Sequence, residues 1–153
     1  MLMELVRTHA GDPDFVKLVK QLDADLAERD GREHDFYSQY NGLDSIPHVI
    51  VAYADGEPVA CGAIKPFDSE RMEVKRMYTL PEFRSRGLAG RILEALEQWT
   101  ASLGYAGCVL ETGKRQPEAI TLYLKHHYNM IPNYGQYAGV ENSVCFEKKF
   151  KDQ

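Results

Sequence analysis

A basic segment that contains two glycines, Arg84-Ser-Arg-Gly-Leu-Ala-Gly90, lies between a predicted strand and a predicted amphipathic helix. A loop of this kind points several backbone N–H groups into one concavity, where the helix dipole favours an anion. Gly87 and Gly90 would let the backbone approach phosphate oxygens closely, because they have no Cβ atom. Arg84 and Arg86 add positive charge. The segment therefore predicts a pyrophosphate site, although a solvated basic turn could have the same composition.

Two common phosphate-binding fingerprints are absent from the chain. It contains neither Gly-x-x-x-x-Gly-Lys-Ser/Thr nor Gly-x-Gly-x-x-Gly. The basic segment does fit the pattern Arg/Gln-x-x-Gly-x-Gly/Ala, read here as Arg84-x-x-Gly87-x-Ala89. On this pattern the chain resembles the GNAT (GCN5-related N-acetyltransferase) superfamily, whose coenzyme A pyrophosphate loop has this form.

Further segments extend the resemblance over nearly the whole chain. Residues 73–79 look like the family's fourth strand, and residues 84–104 look like its motif A loop and helix. Residues 119–125, AITLYLK, look like its motif B helix, A-x-x-L-Y-x-K. The ending, with residues 132–137 and 143–148, is similar to one bacterial subgroup. The chain therefore resembles a small acetyltransferase of the bacterial type.

The resemblance implies acetyl-CoA as co-substrate and a set of residues that bind it. Main-chain groups of Met77 and Thr79, on either side of Tyr78, would pair with the pantetheine arm like an added strand. The pyrophosphate would be held by seven consecutive residues: Arg84, Ser85, Arg86, Gly87, Leu88, Ala89 and Gly90. The thioester would lie where this strand separates from the next one, Ala106–Thr112, and the N–H of Met77 would donate to its oxygen.

Acetyl transfer to an amine needs a proton acceptor, a donor to the thioester oxygen and a proton for the departing thiolate. Glu73 matches the position at which some family members carry a glutamate base. Regular strand alternation would place it on the same face as Met77. The structural alternative is an ion pair between Glu73 and Lys75 or Arg76 at a sheet surface.

Tyr123 matches the motif B tyrosine, which the resemblance implies as a hydrogen-bond or proton donor to the coenzyme A sulfur. On helical spacing alone, a tyrosine at this position would be a packing residue. Weaker substrate contacts are expected from Glu111, at the end of a strand, and from Tyr37 and Tyr134 on the acceptor side. Each of these could equally be solvated or cover the edge of the core.

No metal site is expected. His126 and His127 stand where the family usually has a Gly-Phe-like ending after motif B, and Tyr128 takes the aromatic position. Adjacent histidines on a helix face different ways, and no third ligand is evident. The three cysteines form no C-x-x-C pair.

The elements that must position these residues follow from hydrophobic spacing. Helices are predicted over Asp12–Arg29, Glu33–Tyr40, the stretch from Leu88 to Gly104, and Pro117–His127. Strands are predicted over His48–Tyr53, Pro58–Ile64, Arg71–Thr79 and Ala106–Thr112, with short β-rich pieces around Tyr137 and over Asn142–Lys149. This order predicts an α+β fold, a three-layer arrangement of a mixed, mostly antiparallel sheet with flanking helices. The resemblance adds a splayed central strand pair.

The composition limits the classes of protein. The 153 residues fit one domain, residues 1–153, with enough apolar side chains for a core. The net charge of -5 argues against a partner held by a positive field, such as a nucleic acid or an anionic membrane. No apolar stretch has the length of a membrane span, and the first residues lack a secretory signal. We therefore expect a cytoplasmic protein.

The resemblance implies an N-acetyltransferase that moves an acetyl group to a primary amine by direct attack in a ternary complex. No cysteine lies in either motif, so the sequence gives no support to a covalent acetyl-cysteine route. A small-molecule amine and a peptide amine are both compatible with the sequence. The alternative function is a non-catalytic coenzyme A-binding sensor or interaction domain. A homodimer could form if the last β-rich segment pairs between two chains.

Overall fold

The computed structural model describes residues 2–30 and 46–150, without the side chains of residues 29 and 30. The strands are β1 (Met3–Thr8), β2 (His48–Ala54), β3 (Glu57–Pro66), β4 (Arg71–Thr79), β5 (Gly107–Gly113), β6 (Asn129–Ile131) and β7 (Ser143–Lys149). The α-helices are α1 (Pro13–Asp30), α2 (Leu88–Ser102) and α3 (Pro117–Lys125), and two short 3-10 helices cover Pro81–Phe83 and Gly135–Tyr137. Within these ranges no helix has the length and apolar character needed to cross a bilayer.

One mixed sheet contains these strands in the order β1-β2-β3-β4-β5-β7-β6. Every neighbouring pair is antiparallel except β4 and β5, which run parallel. β4 and β5 pair only over Arg71–Glu73 and Gly107–Val109, and they separate beyond those residues. The predicted mixed, mostly antiparallel sheet with a splayed central pair is confirmed.

Helices cover both faces of the sheet, and their apolar spacing decides which residues they bury. α2 buries Ile92 and Leu96, one turn apart, in the cluster that also contains residues of α3. α1 buries Phe15, Leu18 and Leu22 in a second cluster on the opposite face. Each such side chain contributes roughly 1.5–3 kcal/mol when it is fully buried. The apolar side chains of α1 and α2 therefore hold one helix layer against each face of the sheet, which gives three layers in all.

β4 contains a β-bulge that its sequence pattern does not predict. Arg76 has a positive φ of 61°. The register with β3 shifts at this point, because Tyr78 lies opposite Cys61 whereas Lys75 lies opposite Ala63. β4 thus holds one more residue than β3 over this stretch, which is the definition of a bulge.

The bulge reverses the faces of the residues that follow it. Met77 packs in the cluster that contains Met72 and Val74, on the α2 side of the sheet. Tyr78 packs in the cluster on the α1 side. The prediction that Glu73 and Met77 share a face is therefore wrong, because it assumed an uninterrupted alternation.

Three local predictions also differ from the structure. The sequence does not predict β1, whose residues form an edge strand through antiparallel pairing with β2. The segment around Tyr137 is a 3-10 helix rather than a strand, because the N–H of Tyr137 donates to the Tyr134 carbonyl at 2.9 Å. The strand of this region is β6 instead, and α3 ends at Lys125. The predicted helix Glu33–Tyr40 lies outside the described residues.

Candidate active site

A cavity of about 640 Å³ opens where β4 and β5 separate. Its walls come from α1, β4, the segment leading into α2, β5 and α3. The predicted site residues that line it are Glu73, Met77, Tyr78, Thr79, Arg84, Ser85, Gly87, Leu88, Ala89, Gly90, Glu111 and Tyr123. Arg86 and Tyr134 do not line it, and Tyr37 lies outside the described residues. The cavity is thus lined by elements from both faces of the sheet.

The segment between β4 and α2 presents the first amides of a helix to this cavity. α2 follows Gly87, which has a φ of 76°, and no side chain caps this helix end. The N–H of Arg91 donates to the Gly87 carbonyl at 3.1 Å. Because that is the first intrahelical hydrogen bond, the N–H groups of residues 88–90 have no carbonyl of the helix to bind. Uncapped amides of this kind can bind an anion.

The arginines of this segment are held against aromatic rings. Nε of Arg84 donates to the Thr79 carbonyl at 2.9 Å, and its guanidinium lies 5.7 Å from the centroid of the Tyr78 ring. The guanidinium of Arg86 lies 5.1 Å from the centroid of the Phe83 ring. Arg84 therefore ties the segment to the end of β4, a role that the sequence does not predict.

Gly90 permits a close approach of two helices. A Cβ atom at this position would lie 2.7 Å from Nε2 of His126, at the end of α3. A side chain there would have to displace the imidazole ring, whose Nδ1 lies 3.8 Å from a carboxylate oxygen of Glu94. Gly90 thus brings α2 against α3, in addition to the access to phosphate oxygens that the sequence predicts for it.

Glu73 is a buried carboxylate, 4% exposed, held by two neighbours. The hydroxyl of Tyr134 donates to its Oε2 at 2.6 Å. Nζ of Lys75 lies 3.8 Å from its Oε1. Burial, together with the charge of Glu73, raises the pKa of Tyr134, whereas burial lowers the pKa of Lys75. The ion-pair alternative is thus realised with Lys75, in a buried setting rather than at a sheet surface.

A second carboxylate lies on the same side of the sheet. Glu111 accepts a hydrogen bond from the hydroxyl of Ser143 at 2.7 Å. Burial and the charges of Glu111 and Glu73 raise the pKa of Tyr137. Lys75 was signalled by its position two residues after Glu73 along a strand, whereas nothing near Ser143 in the sequence signals its contact with Glu111.

Tyr123 lies among aromatic rings on the α2 side and also lines the cavity. Its ring meets that of Tyr128 edge-on at 5.8 Å and lies 6.1 Å from the ring of Phe146. Burial, with a contribution from the charge of Glu111, raises the pKa of the Tyr123 hydroxyl. The side chain is therefore a packing residue by its ring, with a hydroxyl that stays protonated near neutral pH.

The turn that ends α3 holds Tyr123 against Tyr128. The N–H of Tyr128 donates to the Tyr123 carbonyl at 3.0 Å, and the N–H of His127 donates to the Leu124 carbonyl at 3.2 Å. These two bonds form a Schellman motif, whose third residue from the end packs against the residue beyond the turn. His127 has a φ of 72°, a conformation that favours glycine.

The titratable residues do not form a metal site in the described parts of the chain. Within residues 2–30 and 46–150, no three His, Cys, Asp or Glu side chains are grouped so that they could hold a metal ion.

Comparison with known sequences points to one family. A sequence profile described as the acetyltransferase (GNAT) family matches residues 15–128. The chain is 32% identical over 137 residues to the IAA acetyltransferase of Azospirillum brasilense, an alignment that covers 87% of this chain and 88% of that protein.

Solved structures share the fold over almost the whole length. A candidate acyl-CoA N-acyltransferase from Klebsiella pneumoniae has a TM-score of 0.81 at 27% identity, with 97% of each chain covered. A GNAT family acetyltransferase from Elizabethkingia anophelis, solved with acetyl-CoA bound, has a TM-score of 0.71 at 19% identity, with 97% of this chain and 98% of that chain covered. At 19% identity, the Elizabethkingia anophelis structure is evidence for the fold alone.

Proposed function

Because the chain belongs to the GNAT acetyltransferase family and is an N-acetyltransferase, we propose that it moves an acetyl group from acetyl-CoA to a primary amine. The amine attacks the thioester directly, in a complex that holds both substrates. One observation carries this proposal: a single cavity is lined both by the amides at the start of α2 and by the carboxylates Glu73 and Glu111. An anion site and a proton acceptor therefore face the same space.

The residues of the basic segment fit the pyrophosphate of acetyl-CoA. The uncapped amides of residues 88–90 supply donors and the positive end of the helix dipole. Ser85 and Gly87 both have positive φ values, 64° and 76°, which turn the backbone between them around the anion. Arg86 adds positive charge beside Phe83, which lines the cavity. When bound, acetyl-CoA supplies an acetyl group activated as a thioester.

The bulge in β4 fits the remainder of the co-substrate. Met77 has no register partner in β3, and it has none in β5, which has already separated. The main-chain groups at Met77 and Thr79 pair with the pantetheine arm as a further strand would. The Met77 N–H donates to the thioester oxygen as negative charge develops on it.

Glu73 takes the proton of the acceptor amine, directly or through water. Tyr134 donates to Oε2 of Glu73, which leaves Oε1 for the proton of the amine. Glu111 attracts the ammonium form of the acceptor to the same place. The amine nitrogen then forms a bond to the acetyl carbon while the carbon–sulfur bond breaks.

Tyr123 donates its hydroxyl hydrogen to the departing thiolate, and a proton that passes to sulfur is replaced from solvent, to which Glu73 releases the proton of the amine. The hydroxyl is neutral near neutral pH, as in any tyrosine, and burial raises its pKa further. Its ring contacts with Tyr128 and Phe146 hold the hydroxyl in place.

The first experiment is an isothermal titration of the full chain with acetyl-CoA, with NADH and ATP as controls. We expect selective binding in the micromolar range, equivalent to about -8 kcal/mol. A panel of primary amines follows, with thiol release as the readout.

Absence of acetyl-CoA binding by a well-folded sample would overturn the proposal, because the basic segment would then be a scaffold only. Selective binding without thiol release, over small amines and peptide amines alike, would favour the coenzyme A-binding sensor.

A further inference from the structure

We propose that Arg76 binds a carboxylate of the acceptor, so that the acetylated amine belongs to an amino acid or to another amine that carries a carboxylate. The inference rests on the proposed acetyl transfer and names the chemical class of its acceptor.

Arg76 holds a buried guanidinium whose hydrogen-bonding capacity is mostly unused. Its side chain is 2% exposed. Nη1 lies 3.5 Å from Oδ1 of Asp23 on α1. Among the described residues, neither Nε nor Nη2 has a hydrogen-bond partner. Buried polar groups are usually paired, because an unpaired one loses its contacts with water and gains nothing in exchange.

The two unpartnered atoms are the ones that bind carboxylates best. In a guanidinium group, Nε–H and one N–H of Nη2 point in parallel from the same edge, and this edge matches the two oxygens of a carboxylate. The contact with Asp23 is made by Nη1, on the other edge. Arg76 therefore has a complete bidentate edge that is buried and without a hydrogen-bond partner, while Asp23 contacts Nη1 on the other edge.

The bulge in β4 gives Arg76 its position. A positive φ of 61° is unfavourable for a residue with a side chain, and a bulge turns a side chain away from the direction that alternation would give it. Arg76 lines the cavity that also contains Glu73 and Glu111. Its guanidinium is close enough to Tyr137 to interact with it electrostatically.

The charges around the cavity complement an amino acid. Glu73 and Glu111 are anions where the ammonium group would lie, and Lys75 already pairs with Glu73. Arg76 is the cation at the other end of the same strand segment. Three residues of strand span about 10 Å between Cα atoms, so the side chains of Glu73 and Arg76 can reach both ends of one small molecule.

The test uses the full chain and matched sets of acceptors. Each set holds an α-, β- or γ-amino acid, its carboxamide, and the corresponding amine without the carboxyl group. Calorimetry first establishes acetyl-CoA binding, and thiol release then gives kcat/KM for each member. We expect the acids of the preferred set to exceed their amides by about a hundredfold or more, because the amide leaves the guanidinium edge unsatisfied.

Two substitutions separate recognition from folding. Arg76→Gln should lower kcat/KM for the acid by about tenfold to a hundredfold. The kcat/KM for the amide and the Kd for acetyl-CoA should not change. Arg76→Lys keeps the positive charge but not the planar pair of N–H donors, so it should retain part of the preference for the acid over the amide. Arg71→Gln is the matched control, because Arg71 pairs with Asp68 and Glu147 and does not line the cavity.

Equal turnover of acids and amides by the unmodified protein would overturn the assignment, as would an equal loss for both in Arg76→Gln. If acetyl-CoA binds but no carboxylated amine binds or is acetylated, the assignment is also wrong. If acetyl-CoA does not bind, the proposed acetyl transfer fails, and direct titration of the acids against their amides then decides the role of Arg76 alone.

Discussion

Two partly buried clusters in this molecule contain the same three residue types and have different surroundings. Each contains one glutamate, one lysine and one tyrosine, and each tyrosine donates its hydroxyl to the glutamate. The cavity cluster consists of Glu73, Lys75 and Tyr134, and the core cluster consists of Glu97, Lys148 and Tyr128. Their residue types alone do not tell a site from a structural network.

The core cluster is closed. Lys148 Nζ lies 2.7 Å from one carboxylate oxygen of Glu97, and the Tyr128 hydroxyl donates to the other at 3.0 Å. Both oxygens are therefore bound, and none of these residues lines the cavity.

The cavity cluster is open. Tyr134 donates to Oε2 of Glu73 at 2.6 Å, but Lys75 Nζ stands 3.8 Å from Oε1, beyond hydrogen-bond distance. Oε1 of Glu73, the oxygen left for the proposed proton transfer, therefore has no hydrogen bond with Lys75. The two clusters differ in how completely the carboxylate is bound and in whether it lines the cavity, not in their residue types.

The largest expected effect comes from removing the charge of Glu73. Glu73→Gln keeps an acceptor for Tyr134, so the local geometry should persist. We expect kcat to fall by about 100-fold to 10,000-fold, with the Kd for acetyl-CoA unchanged. Thiol release and calorimetry measure the two quantities.

Glu97→Gln is the control in the core cluster. It leaves Lys148 without its charged partner, so we expect a lower denaturation midpoint and an unchanged kcat. Equal losses of kcat in the two variants would break the distinction between the open and the closed cluster.

The next largest effect concerns the basic segment. Gly87→Glu places a negative side chain beside the proposed pyrophosphate site, and we expect the Kd for acetyl-CoA to rise about a hundredfold, or about 2.8 kcal/mol. Gly139→Glu is the matched control, because Gly139 has a φ of 77° against 76° for Gly87, and a Cβ at either position meets nothing within 4 Å. An equal change in both variants would mean that backbone strain, not the anion site, is responsible.

A third pair compares two tyrosines whose rings touch. Tyr123→Phe should lower kcat by about tenfold to a hundredfold with little change in acetyl-CoA affinity, because only the proton donor is lost. Tyr128→Phe should instead lower the free energy of unfolding by about 1–3 kcal/mol, because Glu97 loses a buried donor. Wild-type turnover in Tyr123→Phe would assign Tyr123 to packing alone.

The smallest expected effect lies at the turn that joins these tyrosines. His127→Gly should raise the free energy of unfolding by about 1 kcal/mol, because glycine adopts a positive φ without the clash of a Cβ atom. Denaturant titration measures the gain, and kcat should not change. A loss of stability would show that the His127 side chain makes a contact that outweighs its backbone strain.

The sequence predicts the α2 side of the site better than the α1 side. The basic segment, α2 and α3 follow one another along the chain, and their helix spacing, glycines and Pro117 are local signals. In contrast, the Glu73–Tyr134 hydrogen bond joins residues 61 positions apart. The bulge at Arg76 depends on the register with β3, which no local pattern in β4 contains. Contacts that depend on tertiary pairing therefore escaped the prediction.

The interrupted sheet has a mechanical consequence. β4 and β5 share three residue pairs, so the two halves of the sheet are joined by a short seam. α2 packs across β2, β3, β4 and β5, so it contacts both halves of the sheet. A molecule that binds in the gap would contact both halves of the sheet, so the melting temperature should rise with the concentration of that molecule.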